Sequence, residues 1–210
     1  MNPKWAEENL QTIRTLMERS AIYRRALAPI MLICGISGLA GGVAGWQWQI
    51  NSNQGFVLVW IITAIFALSC SMLLVRQQAL RESEPFWSPP TRRVVQALTP
   101  SFLVGVLSAV VIAHWGTDRH THEVWFLILI WCLSFGCGIH AAGFFMPRGM
   151  KWFGWLFMMA GVGLIGCETT DIDLQGMFHS PHLLMATIFG GLHLAYGIYL
   201  YFTEKKNPVA

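Results

Sequence analysis

Apolar residues fill six long stretches of this chain, and polar residues gather in the short gaps between them. The stretches run over about 27–48, 56–75, 94–114, 124–145, 152–167 and 183–202. Each approaches the roughly 20 residues that a helix needs to cross the hydrocarbon core of a bilayer, the fifth being the shortest. The pattern predicts an all-α, polytopic membrane protein with six transmembrane helices. Ahead of them, residues 3–23 carry a different rhythm. Leu10, Ile13, Met17 and Ala21 recur on one helical face, while Arg14, Glu18 and Arg25 point elsewhere. Asn2 suits the cap of such a helix, Pro3 its first turn, and Glu7 and Glu8 its positive end. The chain therefore divides into an interfacial amphipathic helix over 1–25, a bundle over 26–203 and a short tail over 204–210.

Small and irregular residues refine this plan. The first span holds Gly35, Gly38, Gly41, Gly42 and Gly45, so that Gly38/Gly42 and Gly41/Gly45 are both GxxxG pairs. Such spacing lets helix backbones approach closely and marks the first helix for the packed centre. Pro100 is expected to start or bend the third helix. The stretch from Arg81 to Pro90, with Pro85, Phe86, Trp87, Pro89 and Pro90, is expected to be an irregular connector. Trp46, Trp48, Trp87, Trp115, Trp125, Trp152 and Trp155 fall near the span ends, as an aromatic belt would.

Composition agrees and charge adds direction. Hydrophobic residues make up 54% of the 210 and charged residues 12%, about half the share usual in globular domains. Thirteen of the fourteen Lys and Arg residues fall at one end of the predicted helices or in the flanking segments there, and only Arg119 falls at the other. By the positive-inside rule both termini are cytoplasmic. The opposite loops are acidic and rich in histidine. The five cysteines form no CxxC, and no triad, phosphate loop or HExxH occurs in a fitting context, so enzymatic chemistry is not signalled. No cleavable signal peptide and no basis for direct nucleic-acid binding are seen.

Two constellations are candidates for chemistry. His193 lies in the middle of the sixth span, within Gly190-Gly191-Leu192-His193-Leu194-Ala195-Tyr196-Gly197, and His140 lies in the fourth. A polar ring at that depth must meet protein or an internal cavity. Two such histidines on facing helices suit haem b ligation. At 1.5 Å per residue, however, His140 lies ~24 Å and His193 ~16 Å from the outer helix ends. A proton- or quinone-related role is the other chemical reading, and the plainer one has each ring bonded to a neighbouring helix. The second constellation is the outer rim: His120, His122 and Glu123 from one loop, His179 and His182 from another, a ligand set that suits zinc or copper if the two loops converge. Buried acids, the usual mark of a proton-driven transporter, are missing, which ranks small-solute transport lowest.

The segments Ile13-Arg14-Thr15-Leu16-Met17-Glu18-Arg19-Ser20 and Gly191-Leu192-His193-Leu194-Ala195-Tyr196-Gly197 resemble those of uncharacterised six-helix bacterial inner-membrane proteins, often encoded beside winged-helix transcriptional regulators. The resemblance covers the layout of the whole chain but departs at Tyr23-Arg24-Arg25-Ala26-Leu27-Ala28-Pro29. It implies a multi-pass protein of the bacterial cytoplasmic membrane in a regulatory setting, and brings no activity with it. The leading expectation is a non-enzymatic sensing or scaffolding protein that docks a cytoplasmic partner through Arg14, Glu18 and Arg19, with self-association a further expectation. The alternative is a redox protein holding haem or a metal. The orientation is open to a direct check. A fluorescent protein fused after Ala210 is expected to fluoresce, and an exported phosphatase inserted between residues 116 and 121 to be active; the reverse pattern would invert the topology.

Overall fold

The computed structural model describes residues 27–81, 87, 89–115, 122–146, 149–170, 172 and 174–204. The predicted amphipathic helix and the tail beyond Glu204 lie outside the described residues, as does most of the stretch between Arg81 and Pro89.

Six helices are long and apolar enough to span a membrane, and no strand occurs among the described residues. They are α1 (Leu27–Gln47), α2 (Asn53–Arg81), α3 (Pro89–Trp115), α4 (His122–Ala142), α5 (Gly149–Thr169) and a last span over Pro181–Thr203. A one-turn helix, α6 (Leu174–Phe178), precedes the last span. That span is not uniform. It consists of α7 (Pro181–Met185), a π-helical turn (Ala186–Gly191) and α8 (Leu192–Glu204). Ser180 caps its start, the side-chain oxygen accepting from the His182 N–H at 3.2 Å with Pro181 next in line.

The sequence pattern misplaced several boundaries. Proline has no N–H to lose in the first turn, so Pro89 opens α3 where a loop was expected. Pro100 lies inside α3, which continues on both sides of it, so it does not start the helix. α2 reaches 29 residues, well past the expected end near Val75. Trp46, Trp48, Trp87, Trp152 and Trp155 are exposed near helix ends, as expected of a belt, but Trp125 is buried in the core.

Successive spans run antiparallel, and small residues decide how closely they meet. One tight seam joins α1 to the last span. A Cβ added to Gly35 would lie 2.6 Å from the Leu194 nitrogen, and one on Gly38 would lie 2.9 Å from the Gly190 Cα. Gly42 meets Ala186 and the His182 carbonyl, and Gly45 meets the His182 ring. From the other side Gly190 meets Leu39 and Gly197 meets Leu32. Residue numbers fall on one helix as they rise on the other, so this is a single continuous antiparallel contact. Gly41 alone turns to α2, where it meets Thr63. Further along, the Cys34 thiol and Ser71 hydroxyl lie 3.7 Å apart. A second seam joins α4 to α5: Gly136 against Met158, Gly154 against the His140 backbone, Gly161 against Leu133.

The core has two halves. One gathers Phe56, Trp60, Trp125, Leu127, Ile128 and Leu184 toward the acidic end. The other gathers Leu27, Met31, Met150, Phe153, Phe157 and Leu200 toward the basic end. Ile188 and Phe189 pack against both, so the π turn sits at the waist between them. α2 and α3 are peripheral: 11% and 6% of the residues in their most apolar stretch are buried, against 50% in α4.

Close backbone contact makes one prediction. Gly38→Ala places a methyl group against main-chain atoms and is expected to lower stability by about 1–3 kcal/mol, as overpacking does. Gly163 has no atom within 4 Å of its would-be Cβ, so Gly163→Ala should leave stability unchanged or raise it through helix propensity. Thermal unfolding in mild detergent compares them; equal losses would remove the seam from its organising place.

Candidate functional site

Helical hydrogen bonding is disturbed in one place on the last span, and His193 stands two residues past it. A π turn shifts backbone bonds from the fourth to the fifth residue along and loosens the local ladder. His193 Nδ1–H donates to the Phe189 carbonyl at 2.7 Å, satisfying an acceptor inside the π turn. The imidazole is buried and ringed by aromatic side chains. Its centroid lies 5.1 Å from that of Phe153, 5.4 Å from Phe157 and 5.5 Å from Phe135, with Phe189 stacked at 6.4 Å. Beyond it, Tyr196 stacks on Phe153 at 4.7 Å. The mid-span position of His193 is thus as the sequence placed it, and what meets it is a filled aromatic cage.

His140 is elsewhere. It falls in the last turn of α4, near the basic end, and is half-buried. Its Nδ1–H donates to the Lys151 carbonyl across the α4–α5 turn at 3.3 Å. Its ring meets Phe144 and Trp155 edge-on, each at 5.7 Å. On α5, Trp155 projects nearly opposite to Phe153 and Phe157, because two residues turn a helix by about 200°. The two imidazoles therefore meet opposite faces of α5. The structure does not bring His140 and His193 together, and a single iron held between them is not what this packing prepares.

The outer rim also divides. His182, expected beside His179 at the rim, is turned into the core and is 1% exposed. Its Nε2–H donates to the Ile50 carbonyl at 2.9 Å, tying the last span to the α1–α2 turn. Phe56 lies 4.8 Å away, and the Nδ1 edge faces Gly45. Nδ1 has no partner among the described residues, as fits a neutral ring whose proton is on Nε2. His179 instead is exposed, with φ of 57°, in the turn before α7. Glu123 accepts a 2.6 Å hydrogen bond from the side-chain amide of Asn53, a buried residue at the start of α2. His120 and the side chain of His122 lie outside the described residues. No group of three metal-ligating residues is found among the described ones. Arg14, Glu18 and Arg19 also lie outside them.

Sequence reasoning missed two things here. The π turn has no marker beyond Gly190-Gly191, and the Asn53–Glu123 bond joins residues 70 positions apart. The Ser180-Pro181 pair was a legible cap signal.

Comparison of the chain with family models, curated proteins and solved structures finds no match in any of the three.

The histidines can be told apart by stability. His182→Ala leaves the Ile50 carbonyl unpaired and opens a void, and should cost about 2 kcal/mol or more. His179→Gly removes a side chain from a left-handed position and should leave stability equal or slightly higher. Thermal unfolding with parallel elemental analysis checks both. A His182→Ala effect confined to loss of a stoichiometric metal, with unchanged metal-free stability, would restore the rim as a metal site.

Proposed function

We propose that this is a non-enzymatic sensing or scaffolding protein of the bacterial cytoplasmic membrane. Its termini and basic loops face the cytoplasm, and the amphipathic segment before α1 docks a cytoplasmic partner through Arg14, Glu18 and Arg19. One observation carries the reading. The docking segment leads directly into α1, and α1 is the helix held by main-chain-close contacts along the last span. A partner that repositions the segment therefore acts on a helix packed backbone to backbone against the last span. A shift of α1 there would be felt at Gly190 in the π turn and, through Phe189, in both halves of the core. Packed interfaces of this kind respond by switching between discrete arrangements, since a close-packed core does not deform continuously. The regulatory setting implied by the sequence resemblance suits such a role.

A photoreactive amino acid placed at Arg14, Glu18 or Arg19 of the full-length protein tests it in living cells. A discrete adduct with one soluble protein is expected, lost on Glu18→Arg and weakened by Gly38→Ala. Adducts only with lipid at all three positions would reject the docking reading and leave the segment as an interfacial anchor.

A further inference from the structure

The α4–α5 turn gathers cations over aromatic rings at the basic end of the bundle. Lys151 Nζ lies 3.6 Å from the centroid of the Phe144 ring, and Arg93 Cζ lies 5.9 Å from that of Phe145. Phe144 and Phe145 are consecutive, so side chains from α3 and α5 meet over one turn. Arg92 is exposed beside Arg93. Among the described residues no carboxylate pairs with Arg92, Arg93 or Lys151, and neither α3 nor α5 has an acidic residue in its first turn. The described residues therefore leave this positive charge unbalanced.

The surrounding surface is apolar and open. Phe144 is 64% exposed, Phe145 45%, Trp152 73% and Trp155 48%. His140 braces this wall, with its ring against Phe144 and Trp155 and its Nδ1–H on the Lys151 carbonyl. Exposed indole and phenyl rings beside cations, at the end of a membrane span, match the chemistry of a lipid at the glycerol level: a phosphate above, acyl chains below. Cations already resting on ring faces hold part of their desolvated geometry before any ligand arrives.

We propose that this turn is a binding site for one anionic glycerophospholipid of the adjoining leaflet, its phosphate held by Arg93 and Lys151 and its upper acyl chains lying on Phe144, Phe145 and Trp152. Charge complementarity selects an anionic headgroup, and the aromatic floor requires a molecule with apolar tails. The proposal does not rest on what docks at the N-terminal segment.

The test uses the full-length protein in mild detergent, titrated with phosphatidylglycerol, phosphatidylcholine or inorganic phosphate while thermal unfolding is followed. Native mass spectrometry counts retained lipid in parallel. Phosphatidylglycerol is expected to raise Tm and to be retained, and the other two are not. Combined Arg93→Gln and Lys151→Gln should weaken the apparent affinity for phosphatidylglycerol on the order of tenfold. Arg93→Lys with Lys151→Arg should restore most of it. Arg76→Gln with Arg81→Gln removes two exposed charges at the end of α2 and serves as the control. Equal loss in that control would reduce the effect to general charge and overturn the site. So would an unchanged response in the Arg93/Lys151 variant, no response in the wild type, or an equal shift from inorganic phosphate.

Discussion

Everything in this bundle depends on how closely α1 can approach the last span. In a bilayer the usual drive to bury apolar side chains is weak, because lipid tails are as apolar as leucine. Contact area and dispersion must hold the helices together instead, and they fall off steeply with distance. Gly35, Gly38, Gly42 and Gly45 strip one face of α1 to the main chain, and Gly190 and Gly197 do the same on the opposite helix. Where Gly38 meets Gly190, backbone touches backbone. The α4–α5 seam follows the same rule at Gly136, Gly154 and Gly161. α3 is joined to α4 partly by polar means, the Trp131 indole N–H donating to the Gly105 carbonyl at 3.0 Å.

The polar side chains serve this packing. His182, His193 and His140 each give a ring proton to a main-chain carbonyl: at the α1–α2 turn, in the π segment and in the first turn of α5. A ring N–H without a partner is costly in an apolar medium, and each of these rings has a carbonyl within reach. The three rings have different surroundings: a glycine and Phe56, a cage of phenyl rings, and the edge of a cationic aromatic turn. One residue type thus does similar hydrogen-bonding work in three places that share no ligand.

How much of this was legible beforehand follows from what kind of interaction each feature is. The spans were legible because length and apolarity are local, and α1 was recognised as central because glycine spacing is local too. Helix ends were less so. α2 outlasts its apolar run because Arg76, Gln77 and Gln78 continue a helix comfortably beyond it. The depth of His193 was readable by counting residues, but the opposed faces of His140 and His193 depend on how α5 is rotated, which no spacing within α4 or the last span encodes. His182 was assigned to the rim because it neighbours His179. A single residue in left-handed backbone at His179, followed by the cap at Ser180, sends the two rings in different directions.

The seam that holds the bundle together joins its first span to its last. About 150 residues separate Gly38 from Gly190, and synthesis takes on the order of ten seconds or more to cover that distance. Through that interval α1 sits in the membrane with its bare glycine face turned to lipid or to a chaperone, and four other helices arrive before its partner does. The α4–α5 seam can form earlier, but the seam between α1 and the last span closes only at the end. A ribosome that stalls before the last span leaves a chain whose most adhesive surface is uncovered, so the glycine stripe that secures the finished protein is also the feature by which an unfinished one would be recognised and removed.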